Sequence, residues 1–185
     1  MALTKINNNT LSAITGLPAG VGGKVLQVLS TTKTDSFASS SIDGNTGVDI
    51  TGLSVNITPS STSSKILIVF NVNGSFSYAT RQGSCGVRLF RDSTFVSAPT
   101  SSGSRPTVTA ANNFQGANDS NCETNVAGSF LDSPSSTSAI TYKLQAYNMA
   151  STSRAVVVNR TYGDNDEANV RTRSTSTITV YEIAG

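Results

Sequence analysis

The chain has 185 residues and a net charge of +2 over 13 basic and 11 acidic residues, with no histidine and no tryptophan. That length allows one domain with a real core and a short appendage, and so weak a charge balance speaks against nucleic acid or an anionic membrane surface as partner. The missing histidine excludes Ser-His-Asp and Cys-His nucleophiles and His-containing zinc sites, and two cysteines cannot supply the four thiolates of an all-cysteine zinc site.

Serine and threonine account for 53 of the 185 residues, with 16 asparagines besides. These residues compete with helical backbone hydrogen bonds and favour turns and pleated surfaces, so helix is expected to be scarce. No run of about 18 apolar residues exists to span a bilayer. Residues 1–23 are rich in Asn, Thr and Gly, with scattered Leu3, Ile6, Leu11 and Ile14, and read as an extended arm. They lack the apolar segment of a secretory signal, and export by the usual route is not expected.

From Lys24 the apolar residues come in strand-length bursts: Lys24 to Leu29, Leu53 to Thr58, Lys65 to Tyr78, Gly86 to Arg91, a short Thr94 to Ser97, Val126 to Leu131, Ala139 to Tyr147, Arg154 to Arg160, and Ser176 to Ile183. Alternation is clear where Leu53, Val55 and Ile57 share one face, and where Ile140, Tyr142, Leu144 and Ala146 oppose Thr141, Lys143 and Gln145. It is longest from Ile66 to Tyr78, where every even position except Gly74 is apolar. Asn73-Gly74 is also a hairpin signal. Such a hairpin would set Val72 opposite Ser75 and mix hydroxyls into the apolar face, so one continuous strand, bulged or bent at Gly74, is the expected solution.

Turn chemistry separates the bursts at Asp43-Gly44-Asn45, Pro59-Ser60-Ser61, Asp92-Ser93 and Ser133-Pro134-Ser135. No interval carries an apolar period of 3.6 residues over ten or more positions, so the crossover helices of a parallel sheet are missing. The expected fold is all-β, an antiparallel sandwich or barrel of eight or nine strands. Ser97 to Glu123, rich in Ser, Thr and Asn, is too long for a hairpin and reads as a surface excursion or a place where subunits meet.

Four segments, Ile57-Thr-Pro-Ser-Ser-Thr-Ser-Ser-Lys-Ile-Leu-Ile68, Val87-Arg-Leu-Phe-Arg-Asp-Ser-Thr94, Ile140-Thr-Tyr-Lys-Leu-Gln145 and Ser176-Thr-Ile-Thr-Val-Tyr-Glu-Ile183, occur in this order. Together they resemble the C-terminal β-sandwich of tail-fibre-like and related virion proteins of tailed phages, especially those of marine and cyanobacterial hosts. The resemblance runs from about Lys24 to residue 185. It implies a jelly-roll-like domain over 24–185, a homotrimer, and attachment to capsid or tail proteins through the arm, residues 1–23. It further implies a protein of the virion, assembled in the host cytoplasm, as a fibre, head spike or decoration. The alternative reading is a receptor- or glycan-binding adhesion module for host-cell surface recognition, with a host surface glycan as its partner.

No catalytic residue, cofactor or metal site is expected. Asp164, Asp166 and Glu167 have a spacing that could offer oxygens to calcium, but the other ligands of a calcium loop are missing and a solvated turn is the simpler reading. Asp119 and Glu123 could form a glycosidase pair, yet nothing around them points to a cleft. Arg171 and Arg173 point to one side of an extended segment, and Arg154 and Arg160 could join them to meet another subunit or an anionic polysaccharide. Tyr147 and Tyr162 are the candidates for stacking on a sugar, while Phe70, Phe76 and Tyr142 read as core. Cys85 and Cys122 permit one bridge, and two reduced thiols are expected. The Asn-x-Ser/Thr pattern at Asn8, Asn56, Asn73, Asn118 and Asn159 is no more frequent than this composition produces by chance.

Overall fold

The computed structural model describes residues 24–39, 41–75, 85–111 and 121–185. Eleven strands appear in chain order: β1 (Val25–Lys33), β2 (Phe37–Ala38), β3 (Gly47–Ile57), β4 (Lys65–Ser75), β5 (Cys85–Arg91), β6 (Thr94–Phe95), β7 (Ala110–Ala111), β8 (Thr124–Asp132), β9 (Ile140–Asn148), β10 (Val157–Val158) and β11 (Ser176–Ile183). There is no helix among the described residues. Nine of the strands lie where the apolar bursts place them. The count exceeds eight or nine because β2 and β7, two residues each, are also paired into the sheets. The arm, residues 1–23, lies outside the described residues.

Every pairing is antiparallel. One sheet runs β1-β11-β4-β8, with β10 and β2 continuing the β11 and β1 positions toward the far end of β4. The other runs β3-β9-β5, with β6 and β7 sharing the outer edge of β5. The pairs β1 with β11, β3 with β9, β4 with β8, and β5 with β6 are nested in the sequence, and successive pairs fall in alternate sheets. A long hairpin rolled up in this way is a jelly roll.

The period of two builds the core directly. Ile66, Ile68, Phe70 and Val72 on β4 turn inward with Ile178 and Val180 of β11 and Val126 of β8. They meet Leu53, Val55 and Ile57 of β3, Tyr142, Leu144 and Ala146 of β9, and Val87 and Leu89 of β5. Burying each of these large side chains contributes about 1.5–3 kcal/mol. Phe70 fits because its partner on β8 is Gly128, where a β-carbon would lie 2.7 Å from the ring.

The Asn73-Gly74 ambiguity resolves as a strand. Asn73 and Gly74 pair with Asn125 and Thr124, in unbroken register with the rest of β4 and β8. Gly74 therefore makes no bulge in that ladder. It is needed because β10 passes close by: a β-carbon there would sit 2.1 Å from the Val157 carbonyl oxygen. Phe76 and Tyr78, the expected end of the stripe, lie outside the described residues.

Two buried asparagines tie the loops to the ends of the sandwich. Asn159, in left-handed conformation at φ 62°, donates to the carbonyls of Lys33 and Asp35 and accepts from the Ser176 hydroxyl. Asn148 donates to the carbonyls of Ile42 and Thr152 and accepts from the Ala150 amide. No disulfide joins Cys85 and Cys122, and burial pushes the Cys85 thiol up to about 12, against the opposing pull of Arg154.

Candidate functional site

The charged residues of the loop before β11 form a cleft of about 340 Å³ lined by Asp164, Asn165, Asp166, Glu167, Arg171, Thr172 and Arg173 among others. The backbone builds it in two steps. Asn159 ends β10, and an isolated antiparallel bridge between Arg160 and Arg173 then closes the intervening chain into a loop. Inside the loop a turn forms in which the Arg171 amide donates to the Glu167 carbonyl at 3.1 Å, with Asn169 at φ 71°.

The expected grouping of arginines holds for three of four. Arg160 and Arg173 both reach Asp164, the former at 3.6 Å. Arg171 faces Glu167 at 3.7 Å, donates to Asn165 Oδ1 at 3.1 Å and also donates to Asn121 Oδ1. Arg154 stands apart, on a strand bridge to Ile42, and is not among the cleft residues. Each guanidinium of the cleft thus meets a carboxylate of the same loop, so the cleft is nearly neutral.

The same pairing engages two of the three carboxylates of the cleft. Asp164 lies between two arginines, and Glu167 accepts from Asn165 Nδ2 at 3.1 Å while facing Arg171. Among the described residues no group of three His, Cys, Asp or Glu side chains could hold a metal ion. Glu123 accepts from the hydroxyls of Thr172 and Ser174, both at 2.9 Å, and so fastens the strand entering β11. Asp119, the other member of the glycosidase pair weighed from the sequence, lies outside the described residues.

The two tyrosines occupy different settings. Tyr147, at the end of β9, is only 7% exposed; its hydroxyl donates to the Asn45 carbonyl at 2.8 Å and its ring lies 3.3 Å from the Arg88 guanidinium. The ring face that would stack on a sugar already carries a cation. Tyr162 is half-buried, and its carbonyl accepts from Arg160 at 3.0 Å.

Sequence reasoning missed the surface around Arg88. On the outer face of the second sheet Arg88 lies between the rings of Tyr147 and Phe95, Phe95 stacks on Phe90 with centroids 5.7 Å apart, and Lys143 reaches over Phe90 while pairing with Asp49 at 2.6 Å. Cation–π contacts of this kind are each worth about 0.5–2 kcal/mol. One signal was available. Asp92-Ser93 forms a two-residue turn with Asp92 at φ 53°, which sets Phe90 opposite Phe95. The position of Arg88 against Tyr147 depends on the register of β5 with β9, which the turn does not fix.

No family model matches the chain, and no curated protein matches it significantly.

Proposed function

We propose that this chain is a non-enzymatic structural protein of a tailed-phage particle, a fibre, spike or decoration component that assembles with copies of itself and docks through residues 1–23. The observation that carries this reading is the jelly roll, with its interior filled by apolar side chains and its arginine-lined cleft neutralised from within. Such a molecule offers sheet faces and loops as contact surfaces. The order of the four virion-like segments along the chain supports the same reading. Antibody labelling of intact particles is the test. Regular labelling at capsid or tail is expected, and particles that contain no copy of the chain would refute the assignment.

A second reading is adhesion to a host surface glycan. The ladder of Arg88, Phe90, Phe95 and Lys143 favours it, because aromatic edges beside cations suit an acidic sugar. Binding of the purified protein to a glycan array, lost in Phe90→Ala, would establish it. Under either reading the protein leaves host polysaccharide uncleaved.

A further inference from the structure

The two outer faces of the sandwich differ in kind. The β3-β9-β5 face carries Asp49, Arg88 and Lys143. The opposite face is set by the odd-numbered residues of β4 and by those paired with them on β11, β8 and β1. On it the sole charged residue is Lys65, whose ammonium donates to Ser133 at 3.0 Å. One row crosses all four strands as Val28, Tyr181, Leu67 and Leu131, and the next as Ser30, Thr179, Val69 and Ser129. Val28 is 51% exposed, Leu131 50% and Val69 39%. Among the described residues, all but one of the exposed large apolar residues belong to this sheet, the exception being Val48.

Apolar side chains so exposed, on a face almost without charge, have the composition of an interface core, where charged residues are depleted. We infer that the outer face of the β1-β11-β4-β8 sheet is the surface on which a second copy of this chain docks.

The size of the face fits. Four strands about 4.8 Å apart and eight residues at about 3.3 Å each give on the order of 500 Å². Two such faces therefore cover about 1,000 Å², the lower bound for a specific contact. The chemistry also favours like against like. A face with one cation and no anion offers nothing to a strongly charged partner, whereas apolar rows and paired hydroxyls such as Ser30 and Thr179, 2.8 Å apart, suit another copy of themselves. Like faces meeting each other make an isologous contact, the self-complementary kind that a two-fold axis generates. The inference rests on the self-assembly in the proposed function and names its surface.

Light scattering on the whole chain at micromolar concentration tests it. The wild type is expected at a multiple of 19.1 kDa. Leu131→Lys and Val69→Lys are each expected to weaken association at least tenfold, and Thr141→Lys on the opposite face to leave it unchanged. Circular dichroism identifies any variant that has lost its fold, and Val28→Lys at the sheet edge then replaces it. Multi-chain mass retained in every folded variant of this face would overturn the inference while leaving self-assembly standing. A wild type at the mass of one chain would overturn both, and would return the face to residues 1–23 or to another virion protein; particle labelling judges the virion assignment separately.

Discussion

Tyr142 on β9 donates its phenolic hydrogen to Asp132 Oδ2 at 2.7 Å, and through this bond the end of β8 in one sheet is joined to the middle of the other. Both residues are buried, and Arg91 of β5 reaches the same carboxylate oxygen at 2.8 Å. The Ser133 amide donates to the other oxygen at 2.9 Å. Asp132 is therefore fixed by three partners, and these bonds offset much of the cost of burying it.

Tyr142→Phe removes the inter-sheet bond but leaves Asp132 its other two partners. It is expected to lower the unfolding free energy by about 1.5–3 kcal/mol, the range for hydrogen bonds to charged groups. Asp132→Ala leaves the phenol and Arg91 both unpaired and is expected to cost more; urea unfolding of the two variants checks the order. Burial first, and then the bond to Asp132, raise the Tyr142 phenol above its ordinary 10.0. Its stabilising contribution is thus complete below about pH 10 and lost as the pH rises further. Absorbance at the phenolate band should show Tyr142 ionising only together with alkaline unfolding, and an independent ionisation in the folded state would contradict this.

Glu182 is a buried carboxylate of a different sort. Among the described residues it has no cationic partner, and it is held by the Ser60 amide and hydroxyl, both at 2.7 Å, and by Gln27 Nε2 at 2.6 Å. Burial works to raise its pKa, but hydrogen bonding from Ser60, Ser64 and Gln27 outweighs it and brings the group from 4.5 down to about 2. The sign follows from the depressed folded value. The stabilisation is present above pH 4.5 and is lost as the pH falls toward 2. Glu182→Gln should be less stable than the wild type at neutral pH, and the gap between their urea midpoints should narrow across that window. A gap independent of pH would show that the carboxylate is not ionised in the fold. Glu182→Ala removes the acceptor for the Ser60 amide and should cost about 1–3 kcal/mol from that group alone.

How far the sequence could be read follows from where its period survives. On β3, β4, β9 and β11 one face is buried and the other is not, so alternation marks both the strand and its core residues. On β1 it fails, because Val25, Leu26, Val28 and Leu29 are exposed on both parities at a sheet edge. The burst from Arg154 to Arg160 shrinks to the two residues of β10 because Val156, Val157 and Val158 are buried in succession and Asn159 then turns left-handed. At two residues β2 and β7 carry no period at all. They are strands only because β10 and β5 lie beside them. The arginine cleft was legible for a local reason, the spacing of Arg171 and Arg173 beside Asp164 to Glu167. The separation of Arg154 and the ladder around Arg88 depend on pairings between distant strands, which single-sequence patterns do not encode.

The ion pair of Asp164 with Arg173 is exposed on both sides, and this limits its structural worth. Asp164 is 47% exposed and Arg173 58%. Exposed pairs contribute about 0–1 kcal/mol, so Asp164→Asn should cost less than about 1 kcal/mol and lower the melting temperature by no more than about 3 °C. Scanning calorimetry decides the matter. A drop of ten degrees would mean that the loop between Arg160 and Arg173 is a structural element on a par with the sheets. A small drop leaves the arginines available for contacts made after folding.

Asn159 stands at the other extreme, because one side chain serves three segments. Its Nδ2 donates to the Lys33 carbonyl at 2.8 Å and to the Asp35 carbonyl at 2.9 Å, and its Oδ1 accepts from Ser176 at 2.6 Å. Its own amide donates to the Asn73 carbonyl at 2.8 Å. It thereby locks the end of β1, the far part of β4 and the start of β11 together. Asn159→Gly keeps the left-handed conformation but loses the three side-chain bonds, an expected loss of about 3 kcal/mol at about 1 kcal/mol each. Asn159→Ala loses the same bonds and in addition places a β-carbon at φ 62°, which adds about 1–2 kcal/mol. The alanine variant should therefore be the less stable of the two, the reverse of the order at a helical position, where glycine is worse. Denaturant unfolding of the pair separates the backbone contribution from that of the hydrogen bonds. Equal midpoints would mean that the left-handed turn relaxes once the side chain is gone, so that the hydrogen bonds create the turn and the backbone does not impose it.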